Sequence, residues 1–313
     1  MRNRKTCAMF FGYVLLLLIF LTSLCVLIVP AVGILTSQSR VIIDFPGLLG
    51  LQRYFYFGGV RNIWQYDPTC AQPDATLVYA PALGHCRFSN IEFDTTLSFG
   101  ELGRENDSLK LYSGPGIAVL GDSHAMGWGV EDEETFSAIL GKLLKKPVSN
   151  YAVSSYATEQ ELERLIRAPN ADSLTTILIQ YCENDFGSNK NFPFDRLVAN
   201  QRYREAKSSY GRDGANIAEL SIAFPSELKR RVSDFFRAKL VDTKISTESH
   251  KVQILNVLDR YSEFLKGKKI VIFYSNSFGK SFLSWDSKVD RDKYSVSFVD
   301  LHLDSNYSET YPF

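Results

Sequence analysis

The chain has 313 residues, 45% of them apolar and 22% charged, the composition of a globular protein with one large domain or two small ones. Lys and Arg number 35 and Asp and Glu number 35, so no charge excess points to nucleic acid. Five cysteines without a Cys-x-x-Cys pair exclude a disulfide scaffold and a zinc ribbon, and no metal or cofactor is expected.

From Cys7 to Ser37 no residue is charged, and Val14-Leu15-Leu16-Leu17-Leu18-Ile19-Phe20 lies at the centre of that run. About 20 apolar residues span a bilayer, so the stretch predicts one transmembrane helix within residues 8–36. Arg2, Arg4 and Lys5 precede it, and the positive-inside bias makes residues 1–7 a cytoplasmic tail. The rest is then extracytoplasmic, periplasmic in a Gram-negative cell. A cleaved signal peptide is the competing reading, with Ala31-Val32-Gly33 as a weak cleavage site, although secretory h-regions run only to about 15 residues. In an oxidising compartment Cys70 and Cys86 are expected to pair, leaving Cys182 free.

Residues 37–112 carry aromatics and turn residues without a clear period and read as a lead-in packed on a main domain of residues 113–313. Beyond Ser113, Ile117–Leu120 predicts a buried strand, Glu134–Leu144 a helix, Val148–Val153 a strand and Glu159–Arg167 a helix. Thr176–Tyr181 is a third strand, Val252–Leu265 a helix, Lys269–Tyr274 a fourth strand and Ser295–Leu301 a fifth. Strands alternating with helices predict an α/β/α sandwich on a parallel five-stranded sheet. An insertion at about 187–250 far exceeds the roughly a dozen residues that a crossover needs. Its Arg230, Arg231, Phe235, Phe236 and Arg237 fit helices covering a sheet face, or a lid or headgroup-binding surface.

Sites in parallel sheets form beyond the carboxyl ends of the strands. Gly121-Asp122-Ser123-His124 follows the first predicted strand, Ser154-Ser155-Tyr156 the second and Cys182-Glu183-Asn184-Asp185 the third. Singly, each has a plain structural explanation: Asp122 or Ser123 as a helix cap, Asn184-Asp185 as a turn. Together they suggest a serine at a strand-to-helix turn, with donors for a developing negative charge nearby.

Gly121-Asp122-Ser123-His124-Ala125, with its extension Met126-Gly127-Trp128-Gly129-Val130-Glu131-Asp132-Glu133-Glu134-Thr135-Phe136, resembles the first block of SGNH/GDSL hydrolases of the exported, polysaccharide-modifying kind. Asn150-Tyr151-Ala152-Val153-Ser154-Ser155 resembles the second block, with Ser155 at the usual glycine; Glu183-Asn184-Asp185 resembles the third, with Cys182 at its usual glycine. The resemblance covers about residues 113–303. It implies a flavodoxin-like fold, Ser123 as nucleophile, and an oxyanion hole made by the N–H groups of Ser123 and Ser155 with the Asn184 amide. It also implies a base in Asp-x-x-His, and no histidine here stands in that motif. His302, oriented by Asp300 two residues earlier, is the candidate within the chain; the alternative is that the motif begins beyond Phe313, or is lost.

The expected activity is an ester hydrolase or acyltransferase acting on O-acyl groups, chiefly O-acetyl, of envelope or extracellular polysaccharide, with a lipid ester as the other substrate class. The alternative is an inactive SGNH-like domain that binds glycan or a protein partner. A metallophosphoesterase, suggested by Asp122-x-His124, lacks its further ligand motifs.

Overall fold

Strands that are covered on both faces are made of nearly continuous apolar and β-branched residues. Ile117-Ala118-Val119-Leu120, Ile177-Leu178-Ile179 and Ile270-Val271-Ile272-Phe273 are such runs. In the computed structural model, which describes residues 61–190, 196–209, 246–274 and 285–301 with isolated positions within 12–35, 55–56 and 223–229, they form the middle of one sheet.

The chain divides into two units. The first comprises Met1–Asn62, Asn90–Glu92 and Gly211–Thr243. Within it Phe55 stacks on Phe224 with ring centroids 6.0 Å apart, the Tyr56 hydroxyl donates to Glu92, and the Asn62 N–H donates to Asn90 Oδ1 at 2.7 Å. The second comprises Ile63–Ser89, Phe93–Tyr210 and Lys244–Phe313, and carries the sheet.

In chain order the second unit contains β1 (Ala71–Asp74), β2 (Val78–Pro81), β3 (Gly84–Ser89), β4 (Asp94–Gly100), β5 (Gly103–Arg104) and α1 (Ser108–Leu111). β6 (Gly116–Leu120), α2 (Ser123–Met126), α3 (Phe136–Leu144), β7 (Val148–Asn150), α4 (Thr158–Ile166) and β8 (Leu174–Tyr181) follow. Then come α5 (Asp185–Lys190), α6 (Arg196–Ser209), α7 (Thr247–Arg260), α8 (Ser262–Leu265), β9 (Lys269–Tyr274), β10 (Ser287–Asp290) and β11 (Ser295–Asp300).

The parallel five-stranded sheet predicted from sequence is corrected. The sheet has nine strands and is mixed, in the order β10-β11-β9-β8-β6-β7-β5-β4-β3. β11, β9, β8, β6 and β7 run parallel, β10 pairs antiparallel with β11, and β5, β4 and β3 continue antiparallel from β7. The extra strands escaped notice for physical reasons. β5 has two residues, β10 is polar and largely exposed, and the alternation of β3 and β4 is diluted by turns on either side. As for the transmembrane helix expected within residues 8–36, among the described residues no helix is long and apolar enough to cross a membrane. Residues 12–17 are helical and exposed, and much of the uncharged run lies outside the described residues.

Alternation along the central strands splits the core in two. Ala118 and Leu120 join Ile177, Ile179, Ile270 and Ile272 beneath α4, α7 and α8. Ile117 and Val119 face the other way and pack with Val148, Met126 and the aromatic residues Trp64, Phe88 and Phe99 of the lead-in. Cys70 and Cys86 are joined in a disulfide, Cα to Cα 5.2 Å, at the edge of this second core.

Candidate functional site

From β6 the chain connects to β7 on one side, and from β7 to β8 on the other, so the order of connection reverses at β6. Ligands of open α/β sheets bind outside the carboxyl ends of the strands at such a reversal. The three clusters read from sequence stand at the ends of β6, β7 and β8, neighbours about 4.8 Å apart in the sheet.

At β6 the strand turns sharply into α2. Gly121 has φ +147°, and a Cβ there would meet Ala125 Cβ at 2.5 Å and Gln180 Cβ at 2.9 Å, so only glycine fits. The Asp122 carboxylate accepts the His124 N–H at 2.9 Å and caps α2, whose first residue is the half-buried Ser123. α2 closes after one turn at Gly127, φ +84°, with the Trp128 N–H donating to the Ser123 carbonyl at 3.0 Å.

Sequence reasoning missed what holds this turn. Arg104 of β5 is 1% exposed and donates from Nη1 to the carbonyls of Met126 and Gly127, both at 2.7 Å. Its Nη2 reaches the Val130 carbonyl at 2.6 Å and its Nε reaches Asp132 Oδ1 at 2.7 Å. A planar guanidinium supplies donors in several directions at once, which an ammonium cannot. Asn150 adds a second clamp, donating from Nδ2 to the Ala125 carbonyl and to Ser137 Oγ, both at 2.9 Å.

The predicted strand Val148–Val153 ends at Asn150, whose Oδ1 takes the Ala152 N–H at 3.1 Å and bends the chain. The Val153 N–H still bonds the Gly121 carbonyl at 3.0 Å, keeping the next turn beside α2. Ser154 is buried there, its carbonyl held by the Tyr79 hydroxyl at 2.7 Å. Ser155 is exposed with φ +63°, the left-handed conformation for which glycine is usual, and Gln65 Nε2 donates to its hydroxyl at 3.3 Å. Gln65 and Tyr79 both come from the lead-in and were also missed.

At β8, Cys182 and Asp185 close a turn in which the Asp185 N–H donates to the Cys182 carbonyl at 3.0 Å and Asp185 Oδ2 accepts the Cys182 N–H at 3.3 Å. Asn184 is exposed on that turn. Among the described residues, no acceptor takes the N–H of Ser123, the N–H of Ser155 or the Asn184 side-chain amide. Burial and the carboxylates of Asp122 and Asp185 push the Cys182 thiol up to about 12, so it stays protonated and unreactive at neutral pH.

Behind the turns lies a group of buried acids that the sequence did not signal. Glu161 on α4 is fully buried, and neither of its carboxyl oxygens has a hydrogen-bond partner among the described residues. Asp185 is 1% exposed, takes the Thr158 hydroxyl at 3.4 Å on Oδ2 and has no partner on Oδ1 among the described residues. Burial first, then repulsion from neighbouring carboxylates, Asp185 and Asp122 for Glu161 and Asp122 for Asp185, holds both well above the ordinary carboxylate range. Among the described residues no group of His, Cys, Asp and Glu is arranged to hold a metal ion.

The base is the unfilled position. His302 lies outside the described residues. Asp300 ends β11, buried, its N–H donating to Asp286 Oδ1 at 2.9 Å. β11 is three strands from β6, about 14 Å along the sheet, so a group there must reach back to meet Ser123. Of the other histidines, His85 bonds Ser98 Oγ at 2.7 Å on β3, and His250 is buried on α7 with its Nδ1 2.5 Å from the Tyr181 hydroxyl. His124 is exposed on α2. None of these three is hydrogen-bonded to Ser123.

No protein-family model matches the chain. No curated protein matches it either.

Proposed function

We propose that the chain is an ester hydrolase or acyltransferase of SGNH type, with Ser123 as nucleophile and O-acylated, chiefly O-acetylated, polysaccharide as substrate. The observation that carries this reading is the set of three unoccupied donors at adjacent strand ends, the N–H groups of Ser123 and Ser155 and the Asn184 amide, around a serine held at a glycine-enforced turn. Attack of Ser123 Oγ on an acyl carbonyl would break the ester bond, leave an acyl-serine and develop a negative charge on the carbonyl oxygen, which those donors would bind. Water or a sugar hydroxyl then takes the acyl group. In this reading the base that accepts the Ser123 proton is His302, with Asp300 orienting it.

The Cys70–Cys86 disulfide supports an extracytoplasmic location, since disulfides persist in oxidising compartments. A second reading, an SGNH-like domain that binds glycan without turnover, is favoured by one observation: no described histidine is hydrogen-bonded to Ser123.

A serine-directed phosphonate separates the two. Labelling that is lost in Ser123→Ala and in His302→Ala supports the enzyme, and Asn184→Ala should then slow deacetylation about a hundredfold. Labelling that survives Ser123→Ala removes the catalytic assignment. Glycan binding without labelling supports the second reading.

A further inference from the structure

The opposite edge of the sheet has a different character. β11, β9, β8, β6 and β7 all begin there, so the turns leading into them form one row. The row is stitched together: the Gly267 N–H donates to the Lys293 carbonyl at 3.0 Å, and Lys268 Nζ to the carbonyls of Ala171 at 3.0 Å and Leu174 at 2.6 Å. The Ile117 N–H donates to the Pro147 carbonyl at 3.0 Å.

Large apolar side chains stand open on this edge. Leu143 is 75% exposed and Leu144 49% at the end of α3, and Leu111 is 67% exposed at the end of α1. Lys145 and Lys146 directly follow Leu144, and farther along the row, two strands from β6, Lys266 and Lys269 stand at the start of β9; all four are exposed and make no ion pair among the described residues. The remaining charges of the row do not cancel them. Lys142 pairs with Glu133, Lys110 with Glu105, Lys293 with Glu263, Arg291 with Asp259 and Lys288 with Asp290, and the exposed acids outside those pairs are Asp107, Asp172 and Asp292. In a chain of zero net charge this is a local excess of cations.

We propose that this edge docks on an anionic phospholipid surface, with Leu111, Leu143 and Leu144 entering the headgroup boundary and the four lysines facing phosphate. Leucine among lysines is the composition of interfacial membrane contacts, where the apolar group inserts and the ammonium stays at headgroup level. A second copy of the chain fits poorly, because a twofold contact through this patch sets lysine against lysine. Nucleic acid has no use for the leucines. The proposal is independent of the hydrolase reading. If both hold, the candidate site looks away from the bilayer, about 20 Å above it by the length of a six-residue strand.

The test uses the full chain carrying Leu143→Trp, mixed with vesicles whose acyl chains are brominated, either neutral phosphatidylcholine or with phosphatidylglycerol added. Quenching of the added tryptophan beyond that of the unsubstituted chain is expected on anionic vesicles only, and it should fade as salt is raised. Each lysine near an anionic surface strengthens binding about fivefold, so Lys145→Glu with Lys146→Glu should weaken it at least about twentyfold. Equal quenching on neutral vesicles overturns the proposal, because the uncharged N-terminal run would then account for it. Quenching that survives high salt or the double charge reversal overturns it too. So does an unquenched tryptophan, with or without a change in oligomeric state.

Discussion

The guanidinium of Arg104, two residues into the smallest strand of the sheet, donates to the carbonyl of Met126, the last residue of the one-turn helix that Ser123 begins. The lead-in thereby holds the candidate nucleophile. Removing one partner from a buried charged network costs about 3–5 kcal/mol, so Arg104→Ala should lower the stability of the second unit by that amount. Arg104→Lys should recover only part of it, since one ammonium cannot reach the Met126, Gly127 and Val130 carbonyls together with Asp132. Urea unfolding followed by tryptophan fluorescence measures both; a loss under about 1 kcal/mol for the alanine variant would contradict the role given to Arg104.

Glu161 makes stability depend on pH in a definite direction. Its carboxyl titrates well above the ordinary range in the folded protein, chiefly through burial, while in the unfolded chain it ionises near about 4.3. Above that pH the unfolded state releases a proton that the folded state keeps, so the contribution of Glu161 to stability is greatest in acid. It falls as pH rises, until the native carboxyl itself ionises. Glu161→Gln should leave the melting temperature unchanged at acid pH and raise it at neutral pH. A melting temperature of the Gln variant that tracks the wild type across the whole range would refute this.

Ser155 sits at φ +63°. The left-handed conformation costs a non-glycine residue about 1–2 kcal/mol. Ser155→Gly relieves that and loses the 3.3 Å contact from Gln65, worth about 1 kcal/mol, so the net change should stay within about 1 kcal/mol. Ser155→Val, β-branched, should destabilise by about 2 kcal/mol or more. The reverse order of the two in thermal unfolding would falsify the backbone assignment.

The Cys70–Cys86 bond closes a loop with a sequence separation of 16. Loss of a disulfide of that span costs about 3 kcal/mol. Cys70→Ser with Cys86→Ser, and reduction of the wild type, should lower the melting temperature equally. Non-reducing peptide mapping that recovers both cysteines as free thiols would remove the bond.

The sequence made the middle of the sheet legible because strands covered on both faces must be apolar throughout. Ile117–Leu120 and Lys269–Tyr274 could hardly be anything else. The strand ends were legible for the same reason, since polar residues directly after such a run mark the point where the chain leaves the core. β3, β4 and β5 were not. A strand of two residues has no period, and alternation over six or seven is lost among aromatic residues that serve both the core and the turns. Nor could residue type disclose that Arg104 and Glu161 are buried, because a charge inside a protein is specified by its surroundings and not by its neighbours in the chain.

The Tyr203 hydroxyl bonds the Gln65 carbonyl at 2.9 Å across 138 positions, and its ring stacks on Tyr79 with centroids 5.3 Å apart. That contact sets an order of events in folding. Trp64, Tyr79 and Phe99 are made early in synthesis, but their core is not sealed until residue 203 exists. The first third of the chain thus has to wait, with its aromatic surface uncovered, for a helix encoded well past the middle. Closing so long a loop is slow, and an early fragment ending before Tyr203 is the species in which aggregation would begin.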